Sequence, residues 1–150
     1  MSFKDQTWEN RFQAMGDEAE GHFERYATES QGLGFVRFGL DRPPLKMSSL
    51  PTRLRYTPDY LMSNRFVEVQ GFGRDQTFKI KLEKLNCLHW WNDLHPVFVY
   101  VWDSTNEREC MIPLLHLVTL IDQGHAILDA FPEGKAYYAI DGDDVFAGAV

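Results

Sequence analysis

The sequence is short of cysteine and of long apolar runs, and these two shortages exclude several classes of protein. Cys87 and Cys110 are too few and too unpatterned for a disulfide framework or a cysteine-based zinc site. No hydrophobic stretch approaches the roughly 20 residues of a membrane-spanning helix. The polar residues 1–12 lack the apolar core of a secretory signal. We therefore expect a soluble protein of a reducing compartment, with no membrane partner and the cytoplasm as its simplest location.

Positive charge is also scarce. The chain has 15 Lys and Arg against 22 Asp and Glu, for a net charge of −7. Proteins that bind polyanions usually carry a basic surplus, so the total argues at first against nucleic acid. The distribution softens this objection, because residues 53–95 hold seven basic against five acidic residues, while residues 96–150 hold two against nine. Since the local field governs where an anionic ligand docks, residues 53–95 are compatible with a phosphate-facing cleft.

The length and the pattern of the chain predict one α/β (α+β) domain over residues 1–150, which is large enough to bury its own core. The predicted elements are a helix at 17–28, a strand at 34–40, a proline-rich loop at 41–52, a hairpin at 54–70, a helix at 76–94, a strand at 97–102 that pairs with 109–112, a helix from Pro113 to 121 and a strand at 136–140. This order favours a central mixed β-sheet flanked by helices, with the strand at 97–102 near its middle. We expect the C-terminal end to fray.

The predicted hairpin carries acidic residues on both of its strands. Alternate residues of a strand share a face, so Glu68 and Gln70 point one way while Val67 and Val69 point into the core. A hairpin of this length would bring Asp59 close to Glu68. Paired acidic oxygens are the ligands that a hard divalent cation such as Mg²⁺ needs. The alternatives are that Asp59 is a turn residue and Glu68 a surface position of an exposed strand.

Three short acidic features follow one another along the chain, each on a different predicted element. A glutamate on an early helix, Glu20, precedes Pro-Asp at 58–59 on one strand of the hairpin and Glu-Val-Gln at 68–70 on the next, and a helix and a strand follow. Over residues 16–122 this resembles the PD-(D/E)XK nuclease superfamily, with glutamine in place of the motif lysine. Glu20 also fits a capping box with Asp17, which explains it without a functional role.

The resemblance implies a restriction-endonuclease-like core and metal-assisted hydrolysis of phosphodiester bonds. Asp59 and Glu68 would bind Mg²⁺, or Mn²⁺ in its place, the carbonyl of Val69 would add an oxygen, and Glu20 would hold a metal directly or through water. DNA is the implied substrate, although the residues do not separate DNA from RNA. A stand-alone endonuclease of repair, recombination or junction resolution is expected, as a homodimer if two strands are cut.

Gln70 departs from the superfamily pattern. Its amide can position water but carries no charge. The basic group could come from the following predicted helix, where Lys79 lies nearest the apolar stripe and Lys81 is second. The alternative is that Lys79, Lys81 and Lys84 form a solvated helix face.

Several basic residues flank the hairpin and could contact backbone phosphates. They are Arg53, Arg55, Arg74 and Lys81. Salt links to acidic surface groups explain them equally well. Two further hypotheses therefore stand beside the nuclease: a catalytically inactive nucleic-acid-binding or assembly module that retains the fold, and an unrelated α+β domain in which Asp59 and Glu68 lie far apart.

Overall fold

The computed structural model describes residues 8–30, 34–40 and 49–149. The helices in this part of the chain are α1 (Trp8–Arg25, followed by a π-helical turn at Tyr26–Ser30), α2 (Thr52–Arg55), α3 (Leu82–Leu94), α4 (Leu114–Asp122) and α5 (Gly142–Ala147). The strands are β1 (Phe35–Arg37), β2 (Tyr60–Met62), β3 (Arg65–Phe72), β4 (Thr77–Lys81), β5 (Val97–Asp103), β6 (Arg108–Pro113), β7 (Ala126–Ala130) and β8 (Ala136–Asp141). None of the described helices is both long and apolar enough to cross a membrane. Most of the predicted loop, residues 41–48, lies outside the described residues.

The main sheet is mixed and has the strand order β1-β2-β3-β5-β6. β3 and β5 pair in parallel, from Phe66 opposite Val97 to Phe72 opposite Asp103, and the other neighbours pair antiparallel. β5 lies inside the sheet, as predicted, because its β-branched and aromatic side chains are suited to burial on both faces. The predicted pairing of this strand with residues 109–112 is also confirmed.

Helices cover both faces of the main sheet. On one face, Ala19 and Phe23 of α1 pack with Val67 of β3. On the other face, Leu88 of α3 and Leu117 of α4 are fully buried against the sheet. The predicted arrangement of a central mixed sheet between helices is confirmed.

A second, three-stranded antiparallel sheet has the order β4-β8-β7. Phe78 and Ile80 of β4 and Ile140 of β8 point into the core and are almost completely buried. Because successive side chains of a strand point to opposite faces, Lys79 and Lys81 face away from that core.

The structure corrects the predicted helix at 76–94. Its first part is β4, and the helix begins only at Leu82. Residues 77–81 alternate polar and apolar side chains, which is the period of a strand. Pairing with β8, which is distant in sequence, stabilises that choice.

The structure also corrects the first helix. α1 begins at Trp8 instead of residue 17 and continues through Gly16, so Asp17 and Glu20 lie inside it. The capping-box explanation of Glu20 is therefore wrong. One glycine costs a helix only about 1 kcal/mol relative to alanine. The neighbouring Glu, Arg, Gln, Ala and Met residues are strong helix formers and outweigh it.

Two other segments differ from the prediction. The hairpin is shorter than 54–70, because α2 forms just after the loop and β2 has only three residues. The C-terminal end is ordered into α5, where the Asp141 side chain accepts a hydrogen bond from the Asp143 amide at 2.8 Å and Val145 is fully buried. Neither α5 nor β7 was predicted from the sequence.

The carboxylate of Asp103 ties together two turns at one end of the main sheet. It is fully buried, and its Oδ1 accepts hydrogen bonds from Gln76 Nε2 at 2.9 Å and from the Thr105 amide at 3.1 Å. Its Oδ2 accepts from Asn106 Nδ2 at 2.9 Å and from Arg108 Nε at 2.8 Å. Burial alone would raise the pKa of Asp103, but the hydrogen bonds from Asn106, Gln76 and Arg108 lower it to about 2.

Replacing Asp103 with alanine should lower the free energy of unfolding by about 3 kcal/mol, because the donors around it lose their shared acceptor. Urea unfolding at neutral pH measures this loss. Asp122→Ala, at an exposed carboxylate, is the control and should change the value by less than about 0.5 kcal/mol. Equal losses in the two variants would contradict the assignment of Asp103 as a structural centre.

The same carboxylate should make the fold sensitive to acid. Because the folded pKa of Asp103 lies at about 2, below its usual 3.8, ionised Asp103 stabilises the fold above about pH 4. This contribution is lost as the pH falls from about 4 towards 2. Unfolding curves across this range should show the difference between wild type and Asp103→Asn shrinking as the pH falls. A difference that stays constant would refute the prediction.

Candidate active site

The two carboxylates of the predicted site lie where β2 ends beside β3. The pairing of β2 with β3 stops at Tyr60 opposite Val67, so β3 has no β2 partner from Glu68 onward. Asp59, just before β2, fills part of this gap, because its Oδ2 accepts a hydrogen bond from the Val69 amide at 2.8 Å. The structure therefore brings Asp59 against the strand segment that carries Glu68.

The backbone of Asp59 is fixed by the segment that follows β1. The amides of Phe38 and Gly39 both donate to the Asp59 carbonyl, at 2.9 and 3.1 Å. A Cβ atom on Gly39 would lie only 2.8 Å from the Pro58 carbonyl oxygen. Glycine is required here because the two backbone segments approach so closely.

Glu68 is a buried carboxylate that is paired with a lysine. Its residue surface is 4% exposed, and Lys84 Nζ in the first turn of α3 lies 2.8 Å from its Oε1. Its other oxygen, Oε2, is buried without a hydrogen-bond partner. The predicted orientation of Glu68 away from Val67 holds, but β3 is covered on both faces here, so the alternative of a surface position for Glu68 is wrong.

Asp59 is strongly perturbed by this environment. Burial and then the negative charge of Glu68 raise its pKa to about 7, although Lys84, the Val69 amide and Arg37 act in the opposite direction. The two carboxylates are thus close enough to repel each other. A carboxylate whose pKa is raised by burial and by a neighbouring carboxylate is a common feature of sites that bind cations or move protons.

Lys84 is the cation that faces both carboxylates. Burial lowers its pKa, while the charges of Glu68 and Asp59 raise it, and the net shift is upward. Lys84 therefore stays protonated and compensates part of the negative charge. It was predicted only as a member of a solvated face, yet it shares a helical stripe with the buried Leu88 and Trp91, which is a signal that becomes visible once α3 is known to begin at Leu82.

Glu20 is linked to Asp59 through an arginine. Arg37 Nη1 lies 3.0 Å from Glu20 Oε2, and Arg37 Nη2 lies 3.7 Å from Asp59 Oδ1. Burial lowers the pKa of Arg37, but Glu20 and Asp59 raise it by more, and the net shift is upward. The guanidinium therefore remains charged. Within residues 8–30, 34–40 and 49–149, no three His, Cys, Asp or Glu side chains cluster closely enough to hold a metal ion by themselves.

Gln70 and Lys79 contact each other, but the Lys79 ammonium does not join the carboxylates. Gln70 Nε2 donates a hydrogen bond to the Lys79 carbonyl oxygen. The Lys79 ammonium lies 3.2 Å from Asp75 and 5.8 Å from the centre of the Tyr137 ring. Lys79 lies on β4 instead of a helix, so the structural premise for choosing it is wrong.

The four predicted phosphate-contacting residues lie on three separate segments of the fold. Arg53 and Arg55 lie on α2, with Arg53 stacked over the Trp90 ring at 4.5 Å. Arg74 is exposed in the turn after β3. Lys81 is the residue before α3, and its ammonium lies on the outer face of the second sheet. Of these four residues, Arg53 and Arg55 share one element, α2.

Replacing Lys84 with methionine should lower the free energy of unfolding by about 3 kcal/mol at pH 8, because Glu68 is left buried without its cation. Chemical denaturation measures the loss. The double variant Lys84→Met/Glu68→Leu should regain most of it, since neither charge of the pair remains. Lys79→Met, at an exposed ion pair with Asp75, should cost less than about 1 kcal/mol. A Lys84 loss no larger than this would contradict a buried pair.

Comparison with known proteins reveals similarity in structure only. No protein-family model matches the sequence, and no curated protein matches it. The structure of D212, a nuclease from a fusselovirus, aligns with a TM-score of 0.54 at 11% identity, over 93% of this chain and 86% of the other. The Holliday junction resolvase Hjc of the archaeal hyperthermophile Archaeoglobus fulgidus aligns with a TM-score of 0.49 at 10% identity, over 86% and 85%.

At such low identity these alignments concern the fold alone, and of these two structures the fusselovirus nuclease is similar enough to support a conclusion about it. Its alignment extends over nearly the whole of this chain, which is a mixed sheet flanked by helices. The chain therefore has the predicted α+β fold with a restriction-endonuclease-like core.

Proposed function

We propose that this chain is a metal-dependent nuclease that hydrolyses phosphodiester bonds in DNA. The observation that carries the proposal is the buried Glu68 carboxylate, which lies beside Asp59 and is paired with Lys84 at 2.8 Å. The fold similarity to a viral nuclease supports the same reaction class. Acidic oxygens and one cation at a sheet edge suit the hydrolysis of a phosphate ester.

The residues present fit a divalent cation. Glu68 Oε2 is buried with no hydrogen-bond partner among the described residues, and the pKa of Asp59 is raised by its burial and then by the negative charge of Glu68. We assign Mg²⁺, or Mn²⁺ in its place, to Asp59, Glu68 and the carbonyl of Val69. Bound there, the ion would lower the pKa of a water ligand and neutralise charge on the phosphate. Glu20 would contribute only through water or after releasing Arg37.

We assign the role of the missing motif lysine to Lys84 instead of Lys79. Lys84 already lies at Glu68, and its ammonium can donate hydrogen bonds to a water or to a phosphate oxygen. Gln70 then has a supporting role, since its amide is engaged by the backbone of β4. Arg53, Arg55, Arg74 and Lys81 are the proposed contacts to the nucleic-acid backbone. RNA as a substrate, a homodimer, a cytoplasmic location, and roles in repair, recombination or junction resolution remain predictions.

A second candidate is a binding or assembly module that retains the fold without cleaving. The observation that favours it is the absence, among the described residues, of a third acidic group beside Asp59 and Glu68. The pairing of Glu20 with Arg37 points the same way. Such a module would bind nucleic acid through its basic residues but bind no divalent cation at the carboxylates.

A nuclease assay with linear, branched and single-stranded DNA separates the two functions. With Mg²⁺ or Mn²⁺ the wild type should cleave, Asp59→Ala and Glu68→Ala should abolish cleavage, and Lys84→Met should slow it about 100-fold. Lys79→Met is the matched control and should cleave like the wild type. No cleavage by the wild type with either metal would refute the nuclease.

Metal titration provides a readout that is independent of turnover. The wild type should bind Mn²⁺, and Glu68→Ala should not. The paramagnetic signal of the ion measures this binding. Binding that survives in both Asp59→Ala and Glu68→Ala would overturn the assignment of the ion to these carboxylates.

A further inference from the structure

Three hydrogen-bond donors from two separate segments converge on the carboxylate of Glu83, the residue next to Lys84. The Tyr56 hydroxyl donates to Glu83 Oε2 at 3.1 Å. Lys135 Nζ, on the turn between β7 and β8, lies 3.5 Å from the same oxygen, and Arg55 Nη2 lies 3.7 Å from Oε1. The cluster therefore joins α2 and the β7–β8 turn to the first turn of α3.

The carboxylate does not satisfy these donors fully. The Arg55 to Glu83 separation is longer than a hydrogen bond, and Arg55 Nε is buried without an acceptor. Arginine fits best to an anion that accepts two parallel hydrogen bonds, and a tetrahedral phosphate offers more oxygens than one carboxylate. Arg55 and Lys135 supply two positive charges against the one negative charge of Glu83, so these three groups together keep a positive charge that attracts an anion.

The cluster borders the candidate active site. Tyr56 lies three residues before Asp59. Its hydroxyl is close enough to Lys84 for each group to shift the pKa of the other. A phosphate held by Arg55, Tyr56 and Lys135 would thus lie beside the part of α3 that carries Lys84, next to the candidate active site.

We propose that Arg55, Tyr56 and Lys135 form a subsite for a backbone phosphate of the nucleic acid, and that Glu83 occupies this subsite in the free protein. The location beside a scissile phosphate rests on the proposed nuclease function. When nucleic acid binds, its phosphate replaces the Glu83 carboxylate as the acceptor for all three donors. Glu83 thereby lowers affinity and favours ligands with a phosphate at this position.

The test is a double-mutant cycle on DNA binding without divalent metal, so that no cleavage occurs. Fluorescence anisotropy with a labelled single-stranded oligonucleotide, with EDTA present, measures affinity over a range of salt. Glu83→Gln should raise the affinity about fivefold, and this gain should disappear when Lys135 is methionine. Lys135→Met alone should reduce the slope of log affinity against log salt by about 1.

Asp75 and Lys79 provide a matched control pair. They form an exposed acid and lysine contact at 3.2 Å, comparable with Glu83 and Lys135. Asp75→Asn should give the same change in affinity whether or not Lys79 is methionine. Glutamine at position 83 can still accept from Tyr56, so the variant should fold, and circular dichroism checks this.

Three results would overturn the subsite. One is a Glu83→Gln gain that persists unchanged in the Lys135→Met background, which indicates a general field effect. The second is no gain at all, which indicates a purely structural cluster. The third is tight binding of inorganic phosphate alone that displaces the oligonucleotide, which assigns the cluster to a free phosphate. Because the cycle needs no cleavage, it can succeed when the nuclease assay fails, and the reverse also holds.

Discussion

Parallel neighbouring strands cannot be joined by a tight turn, and β3 and β5 pair in parallel along seven residues of each strand. The chain between them must therefore cross over one face of the sheet, and it does so through β4 and α3. This crossover returns α3 over β3, so that Lys84 reaches Glu68 at 2.8 Å. The parallel pairing thus determines which lysine meets the buried carboxylate.

The short length of β2 has an equal effect on the site. Because β2 stops opposite Val67, the edge of β3 beyond it lacks a strand partner. The Asp59 side chain accepts from the free Val69 amide and is drawn towards Glu68. Two carboxylates at such an edge repel each other, which is why Lys84 and Arg37 lie beside them. A cation would relieve the repulsion that remains.

The charged residues at the start of α3 face two different groups of partners. Lys84 faces the buried pair, and Glu83, next to it in sequence, faces outward to Tyr56, Arg55 and Lys135. Adjacent residues of a helix point in different directions, so one helical turn supplies a cation to the interior and an anion to the surface. Asp103, by contrast, is fully satisfied by hydrogen bonds at the other end of β5 and is a structural group.

The sequence alone determined the class of fold and predicted that Asp59 and Glu68 lie close together, as they do in the structure. The apolar run of β5, the alternation around Glu68 and the proline before α4 reflect local preferences, which are readable from a single segment. The boundary between β4 and α3 was missed, because the strand alternation of residues 77–81 spans only five residues and runs directly into the helical stripe of α3, and pairing with the distant β8 stabilises the strand. The position of that boundary also determines which lysine lies beside the carboxylates. Lys79 points outward from a strand, whereas Lys84 points inward from a helix. Likewise, the ion pair of Glu20 with Arg37 depends on α1 packing beside β1, a contact between segments that no local pattern encodes.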